Sequence, residues 1–251
     1  MLSFTMKFNI HTYSKIYLIT NRYINIFQQH LPCQGFFVTI GILFEMKDVF
    51  MIGEAKKSRG RPRVFDMDEA LEKALTIFWT RGYEGASIAE LTETLGVNKP
   101  SLYAAFGNKE ELFYKALLKY ASGPVAFVSD VLKEPTARKV AERFLVTAAE
   151  FLTDPQHPKG CLIVQGALSS GESAELIRNT LIKFRKSYES KLEERFSKAI
   201  ADGDLSGDAD PKCLAKYLAT LHQGMSVQAT SGATKDELLG IAKIALKVWP
   251  E

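Results

Sequence analysis

From Asp66 onward, apolar residues recur at three- and four-residue steps, the spacing that gathers them on one face of an α-helix. Leu71, Ala74, Leu75 and Phe78 form the first such stripe. Asp66 is placed to cap its start, with Glu69 three residues on, and Gly82 to supply a left-handed stop, so the pattern predicts a helix of roughly four turns. Ser87-Ile88-Ala89-Glu90 has the form of a capping box ahead of a second stripe, Ile88, Leu91 and Leu95, which Gly96 ends. Asn98 then caps a third helix, with Pro100 in its first turn, where no amide bond is lost, Leu102 and Phe106 inward, and Gly107 closing it. Asn108 with Glu111 opens a fourth, through Leu112, Phe113, Ala116 and Leu117. The second and third are joined only by Gly96-Val97-Asn98, a turn of about three residues, which is the helix-turn-helix connection.

Pro and Gly punctuate the rest at Gly123-Pro124, Glu134-Pro135, Asp154 to Gly160, Gly203 to Pro211 and Ser231-Gly232. Between them the pattern predicts helices near Thr136–Thr153, Cys161–Ser169, Ala174–Ala201, Pro211–Ala229 and Lys235–Val248. Nothing alternates long enough to argue for a strand, and no repeat period stands out. The predicted fold class is all-α: a three-helix helix-turn-helix domain at the front, then a larger helical domain.

With 46% hydrophobic residues the chain can bury a core. Its net charge of +3 names no partner, but its distribution is informative. Five of the 32 basic residues, Lys56, Lys57, Arg59, Arg61 and Arg63, fall in one octet without an acid; the other 27 face 29 acids. The positive excess is therefore concentrated just ahead of the first helix. Cys33, Cys161 and Cys213 are odd in number and widely spaced, matching neither a disulfide framework nor a zinc ribbon, and a reducing cytoplasm is the expected location.

Residues 1–55 differ in composition from the remainder. The apolar run Phe36 to Phe44 spans nine positions, against roughly 20 for a membrane-crossing helix, so no membrane partner is expected. The preferred reading is an over-extended gene start with Met46 or Met51 as initiator; an extension packed on the body or associated with membrane is the alternative.

Four stretches carry a resemblance to a known family: Arg59-Gly60-Arg61-Pro62-Arg63, Phe78 to Ile88, Leu95 to Phe106, and Gly107 to Phe113. Over about 55 residues the sequence resembles the DNA-binding domain of the TetR/AcrR regulators. The resemblance implies a basic arm and DNA-binding domain over 56–119, a regulatory and dimerisation domain over 120–251, and a homodimer built from the last two long helices, around Pro211–Ala229 and Lys235–Val248. The apolar sets Leu214, Leu218 and Leu221, with Leu238, Ile241, Ala245 and Val248, fit such an interface and fit an intramolecular core equally well.

The residues point the same way. A helix entering a major groove about 12 Å wide must present short or polar side chains outward. From Lys99 to Phe106 the outward positions are Lys99, Pro100, Ser101, Tyr103 and Ala104. Lys99 suits guanine O6 or N7 or a phosphate, and Ala104 a thymine methyl. Tyr103, Lys109 and the helix-start Ser87 suit phosphate oxygens, Asn98 shapes the turn, and Arg59, Arg61 and Arg63 suit phosphates or the neighbouring minor groove. The expected partner is a double-stranded palindromic operator read by a dimer, since one module alone binds weakly and unselectively.

The helical body is expected to open a pocket for an unidentified small-molecule effector, with Phe144, Phe151, Phe184, Tyr188, Tyr217, His222 and Met225 as candidate lining. Cys161 follows His157-Pro158-Lys159-Gly160 at an expected helix start, where dipole and cations favour a thiolate and thus a thiol sensor; the competing reading is a small buried apolar residue. It resembles a Gly-Cys-Leu element in one branch of the family, some of whose members sense electrophiles or oxidants. No cofactor, metal or catalytic set is expected: there is no phosphate-cradling loop, metal-spaced His/Cys group or nucleophile elbow, and Asp202-Gly-Asp204 with Asp208-Ala-Asp210 misses calcium-loop spacing. A non-specific chromosome-organising protein would spread positive charge along a face, which this chain does not.

Overall fold

The computed structural model describes residues 66–166 and 175–250, all within one compact unit spanning Arg59–Glu251. The N-terminal extension, the basic arm with Arg59, Arg61 and Arg63, and residues 167–174 lie outside the described residues. Among the described residues every regular element is helical: α1 Met67–Gly85, α2 Ile88–Leu95, α3 Lys99–Phe106, α4 Lys109–Ser122, α5 Phe127–Val131, α6 Ala137–Thr153, α7 Leu162–Gln165, α8 Glu175–Ala201, α9 Pro211–Thr230 and α10 Lys235–Lys247.

The helix starts lie where capping chemistry places them. Asp66 accepts from the amides of Asp68 and Glu69, Ser87 from Glu90, Asn98 from Ser101 and Asn108 from Glu111. Each bond satisfies a donor that the first helical turn leaves free. The full reciprocal box occurs at Thr234–Glu237, ahead of α10; the Glu90 carboxylate instead lies 3.5 Å from Arg81. Gly82 breaks the first helical run as expected, with φ +71°, ψ 178°; beyond this kink one more turn of α1 resumes to Gly85 and carries Tyr83 inward.

Four helices make the front. Phe78, Tyr83 and Phe113 form its aromatic centre, Phe113 meeting Phe78 edge-on at 5.0 Å and Tyr83 at 5.4 Å. Around it pack Ala74, Leu91, Leu102, Phe106 and Leu117, all at most 1% exposed. Burying each large side chain is worth about 1.5–3 kcal/mol, ample to hold short helices that would not persist alone.

In the body α6 packs against α9 and α10, and α8 against α9, while α7 sits against α8, α9 and the front helix α1. Arg195 on α8 donates to the carbonyls of Leu132, Glu134 and Pro135, holding the α5–α6 turn. The acids of the α8–α9 loop are all spoken for: Asp204 accepts from the Ala137 amide at the start of α6, Asp210 caps α9, Asp202 pairs with Lys198 and Asp208 with Ser206. Among the described residues no helix is long and apolar enough to cross a membrane, and no group of three or more His, Cys, Asp or Glu could hold a metal.

Candidate nucleic-acid interface and effector cavity

Helix α3 is positioned by its ends and its inner face. Gly96 takes the left-handed conformation, φ +66°, which turns the chain out of α2 within three residues of α3. Leu102 and Phe106, each 1% exposed, clamp α3 onto α2 and α4, and the Lys115 ammonium donates to the Phe106 carbonyl at 2.9 Å. The opposite face carries Lys99, Pro100, Tyr103 and Ala104 in the open, with Ser101 half-buried. Tyr103 is 38% exposed, and the Lys99 ammonium stands 5.7 Å from its ring centre. A short helix with small and donor groups outward can enter a groove without burying an unsatisfied polar atom.

Two flanking residues differ in how free they are. Ser87 uses its oxygen to cap α2 and keeps its O–H proton for an external acceptor. Lys109 sits 4.5 Å over the Tyr83 ring, and burial lowers its pKa despite the opposing charges of Glu110 and Glu84. It is a half-buried, ring-packed ammonium rather than a freely solvated one.

Behind the front lies a cavity of about 50 Å³, lined from α5, α6, α7, α8 and α9 and the turns that lead into α5 and α7. Of the seven candidate lining residues, Phe144, Tyr188 and His222 line it, and Cys161, read separately as a thiol-sensor candidate, joins them. The other four do not. Phe184 packs in the core at 3% exposure and Met225 at 1%, both behind the wall. Tyr217 turns away to donate to the Ala245 carbonyl at 3.4 Å, tying α9 to α10. Phe151 instead joins Trp79, Tyr120, Phe127 and His157 in an aromatic stack between front and body. The periodicity missed Val125, Phe127 and Val128, because α5 is five residues long and has no side-chain cap. It also missed Arg185 and Glu189 on α8, whose charge reads from sequence as a solvated face.

Cys161 takes the second of its two sequence readings. Its helix, α7, is a single turn, and the thiol is 2% exposed. Burial pushes its pKa up; bonds from Tyr120 and from the amides of Val164 and Ile163 only partly offset this. His157 lies flat on Trp79 at 4.5 Å and Lys159 is exposed. The thiolate-favouring site read from the sequence is absent; the competing reading, a small interior residue, is the one observed. The segment acts as a fastener: Trp79 donates to the Gly160 carbonyl at 3.2 Å, Tyr120 to the Cys161 sulfur at 3.4 Å, and the Cys161 amide to Ser226 at 2.9 Å.

Residues 70–116, the whole of this helix-turn-helix front, match the family model of bacterial regulatory proteins of the tetR family, and residues 140–237 match the tetracyclin repressor-like C-terminal domain. The transcriptional repressor ComR of Escherichia coli K12 is 36% identical over 198 residues, covering 78% of this chain and 94% of its own length. The chain belongs to the TetR family. A second E. coli repressor, BdcR, is 28% identical over 194 residues, 76% of this chain and 93% of its own. Among solved structures, the TetR family regulator CifR, a cysteine mutant complexed with 26-base-pair double-strand operator DNA, matches with TM-score 0.74 at 42% identity, over 76% of this chain and 100% of that one. A TetR regulator from Rhodococcus sp. RHA1 matches at 40% identity with TM-score 0.52, over 74% and 100%.

In this TetR chain the last two helices divide their apolar residues between two faces. Leu218, Leu238 and Ala245, read as interface or core, are core, at most 4% exposed. Leu214, Leu221 and Ile241 are half-buried, and of the seven only Val248 is open, at 71%. The outer face is made by residues the stripe did not select: Val227 at 43%, Ile244 at 66%, and Gly224 and Gly240, where an added Cβ would meet nothing within 4 Å.

Proposed function

We propose that this TetR-family chain is a cytoplasmic, sequence-specific transcriptional repressor that binds a palindromic DNA operator as a homodimer and releases it when an effector fills the cavity. The outer face of α3 carries the reading: Lys99, Pro100, Tyr103 and Ala104 are exposed on a helix whose other side is wholly anchored. Lys99, with Arg59, Arg61 and Arg63 of the arm, supplies charge for phosphates or guanine; Tyr103, Ser87 and Lys109 supply phosphate donors, Ala104 fits a thymine methyl, and Asn98, Pro100 and Ser101 set the approach of the helix. The curated relatives ComR and BdcR are repressors, and CifR is seen on operator DNA, which supports both repression and the DNA partner.

Two copies are needed because a single module buries roughly 600–1,000 Å² and discriminates poorly. The exposed α9–α10 face suits a second copy: Val227, Ile244 and Val248 are apolar, and Gly224 with Gly240 allows close helix approach. Of the two triggers expected from the sequence, a ligand is favoured over thiol modification, since the Cys161 thiol is buried and its pKa raised. Cavity occupation reaches the front through Cys161, whose neighbours Trp79 and Tyr120 sit on α1 and α4. A ligand that prefers one spacing of the two heads then weakens binding by its difference in affinity for the two states.

Selection of genomic fragments by the full-length protein tests this reading. It predicts enrichment of sites with twofold symmetry, protected on two major-groove faces one or more helical turns apart. Enrichment of no common sequence would count decisively against it.

A further inference from the structure

The charged groups of the cavity wall are unequally matched. Glu189 is held in an ion pair by Lys216 on the neighbouring helix. Arg185 has no carboxylate within 4 Å among the described residues and gives one hydrogen bond, 3.1 Å, to the Ile163 carbonyl, leaving most of its five donors uncommitted. Burial lowers its pKa, but a guanidinium remains charged at any physiological pH. The other polar groups in the wall are donors or neutral. Tyr188 keeps its proton, because burial raises its pKa, and its hydroxyl has no hydrogen-bond partner among the described residues. Gln223 adds an amide, and His222 stays neutral because burial lowers its pKa to about 4. The remainder is hydrocarbon: Val125, Val128, Phe144, Ile163, Val164 and Leu192.

Arg185 is half-buried, and the group that best complements a guanidinium facing an apolar wall is a planar oxyanion meeting its fork. The volume limits what can be attached. A water needs roughly 10–15 Å³ of such space and a benzene molecule was held by a cavity of about 150 Å³. A cavity of about 50 Å³ therefore takes only a few heavy atoms.

We propose that the effector is a small carboxylate with a short apolar body, its oxygens on Arg185 and Tyr188 and its hydrocarbon against Phe144 and Val128. The proposal rests on the reading of this cavity as the effector site and adds the charge and size of its occupant. A cationic ligand is disfavoured because Lys216 already holds Glu189, and a long amphipathic one because the space takes so few atoms.

Propionate, propionamide and propionamidinium share one shape and carry charges of −1, 0 and +1. Their dissociation constants for the full-length protein, measured by saturation-transfer NMR on the ligand methyl group, separate the possibilities. The expected order is propionate at least tenfold tighter than the amide, with the amidinium weakest. Arg185→Gln should bring propionate to within about threefold of the amide, and Arg185→Lys should keep most of the preference; melting temperatures for both variants establish that they are folded. Ala219→Leu, which fills the cavity from α9, should remove binding of all three. Amide or amidinium binding as tight as propionate, abolished by Ala219→Leu, overturns the carboxylate while leaving the cavity as the site. Saturable binding of none of the three, or binding untouched by Ala219→Leu, overturns the site reading with it.

Discussion

Tyr103 and Lys99 owe their proposed roles to what lies behind them. Leu102 and Phe106 fix the orientation of α3, so the lysine and tyrosine project without adjustment when DNA arrives. Lys99→Ala should weaken binding to any duplex and flatten the dependence of log affinity on log salt by about one unit if its contact is a phosphate; salt titration by fluorescence anisotropy reads this directly. At the cavity, His222 makes a different prediction. Its pKa falls to about 4 in the folded chain, against about 6.5 when unfolded. The unfolded state therefore binds the extra proton as pH drops from about 6.5 to about 4, and the native state loses stability across that window, by roughly 3 kcal/mol in all. Urea unfolding at pH 7 and pH 4.5 should show this loss, and His222→Phe should remove most of it. Cys161, buried with a raised pKa, should react with iodoacetamide more slowly than a free thiol, while the exposed Cys213 reacts readily. An accelerated rate at Cys161 would restore the thiol-sensor reading.

Elements, more than individual contacts, were legible in the pattern of the chain. Caps at Asp66, Ser87, Asn98 and Asn108, and the inward pairs Leu91–Leu95 and Leu102–Phe106, are local rules, and the structure obeys them. The exposed face of α3 could be read because it is the complement of a clear apolar stripe. What failed was non-local. Beyond the break at Gly82, the extra turn to Gly85 follows the tertiary burial of Tyr83, which no local rule marks. The short helix α5 is held by packing and by Arg195 across the α5–α6 turn, not by its own sequence. Cavity lining depends on which helices meet, so half the aromatic candidates went to core or to stacks, and the charged Arg185 was overlooked. The junction at Gly160 illustrates the same dependence. Its φ of +80° strains any L side chain, and an added Cβ would have to displace the side chains of Gln165 and Thr230. Gly160→Ala should cost more than about 1 kcal/mol in chemical unfolding, since the left-handed conformation alone costs about that much for alanine.

On the scale of the whole molecule, the proposed function assigns work to three surfaces: an outer α3 face for DNA, a body cavity for an effector, and an α9–α10 face for a second copy. Trp79, Tyr120, Gly160 and Cys161 connect the first two within one chain. The third decides whether two heads act together. Ile244→Glu places a charge in the centre of that face, where the side chain is 66% exposed in the single chain, so the fold should survive and the dimer should not. Sedimentation should report a monomer, and operator affinity should fall by at least tenfold, because each head would bind alone. The most direct test of the central claim is a comparison of affinities at one salt concentration, for a selected palindromic operator and for the same duplex scrambled. The account predicts a preference of at least about 10³ for the operator, collapsing in a Lys99→Ala, Tyr103→Ala variant that remains folded and dimeric. Equal affinity for the two duplexes, or a preference untouched in that variant, would contradict it.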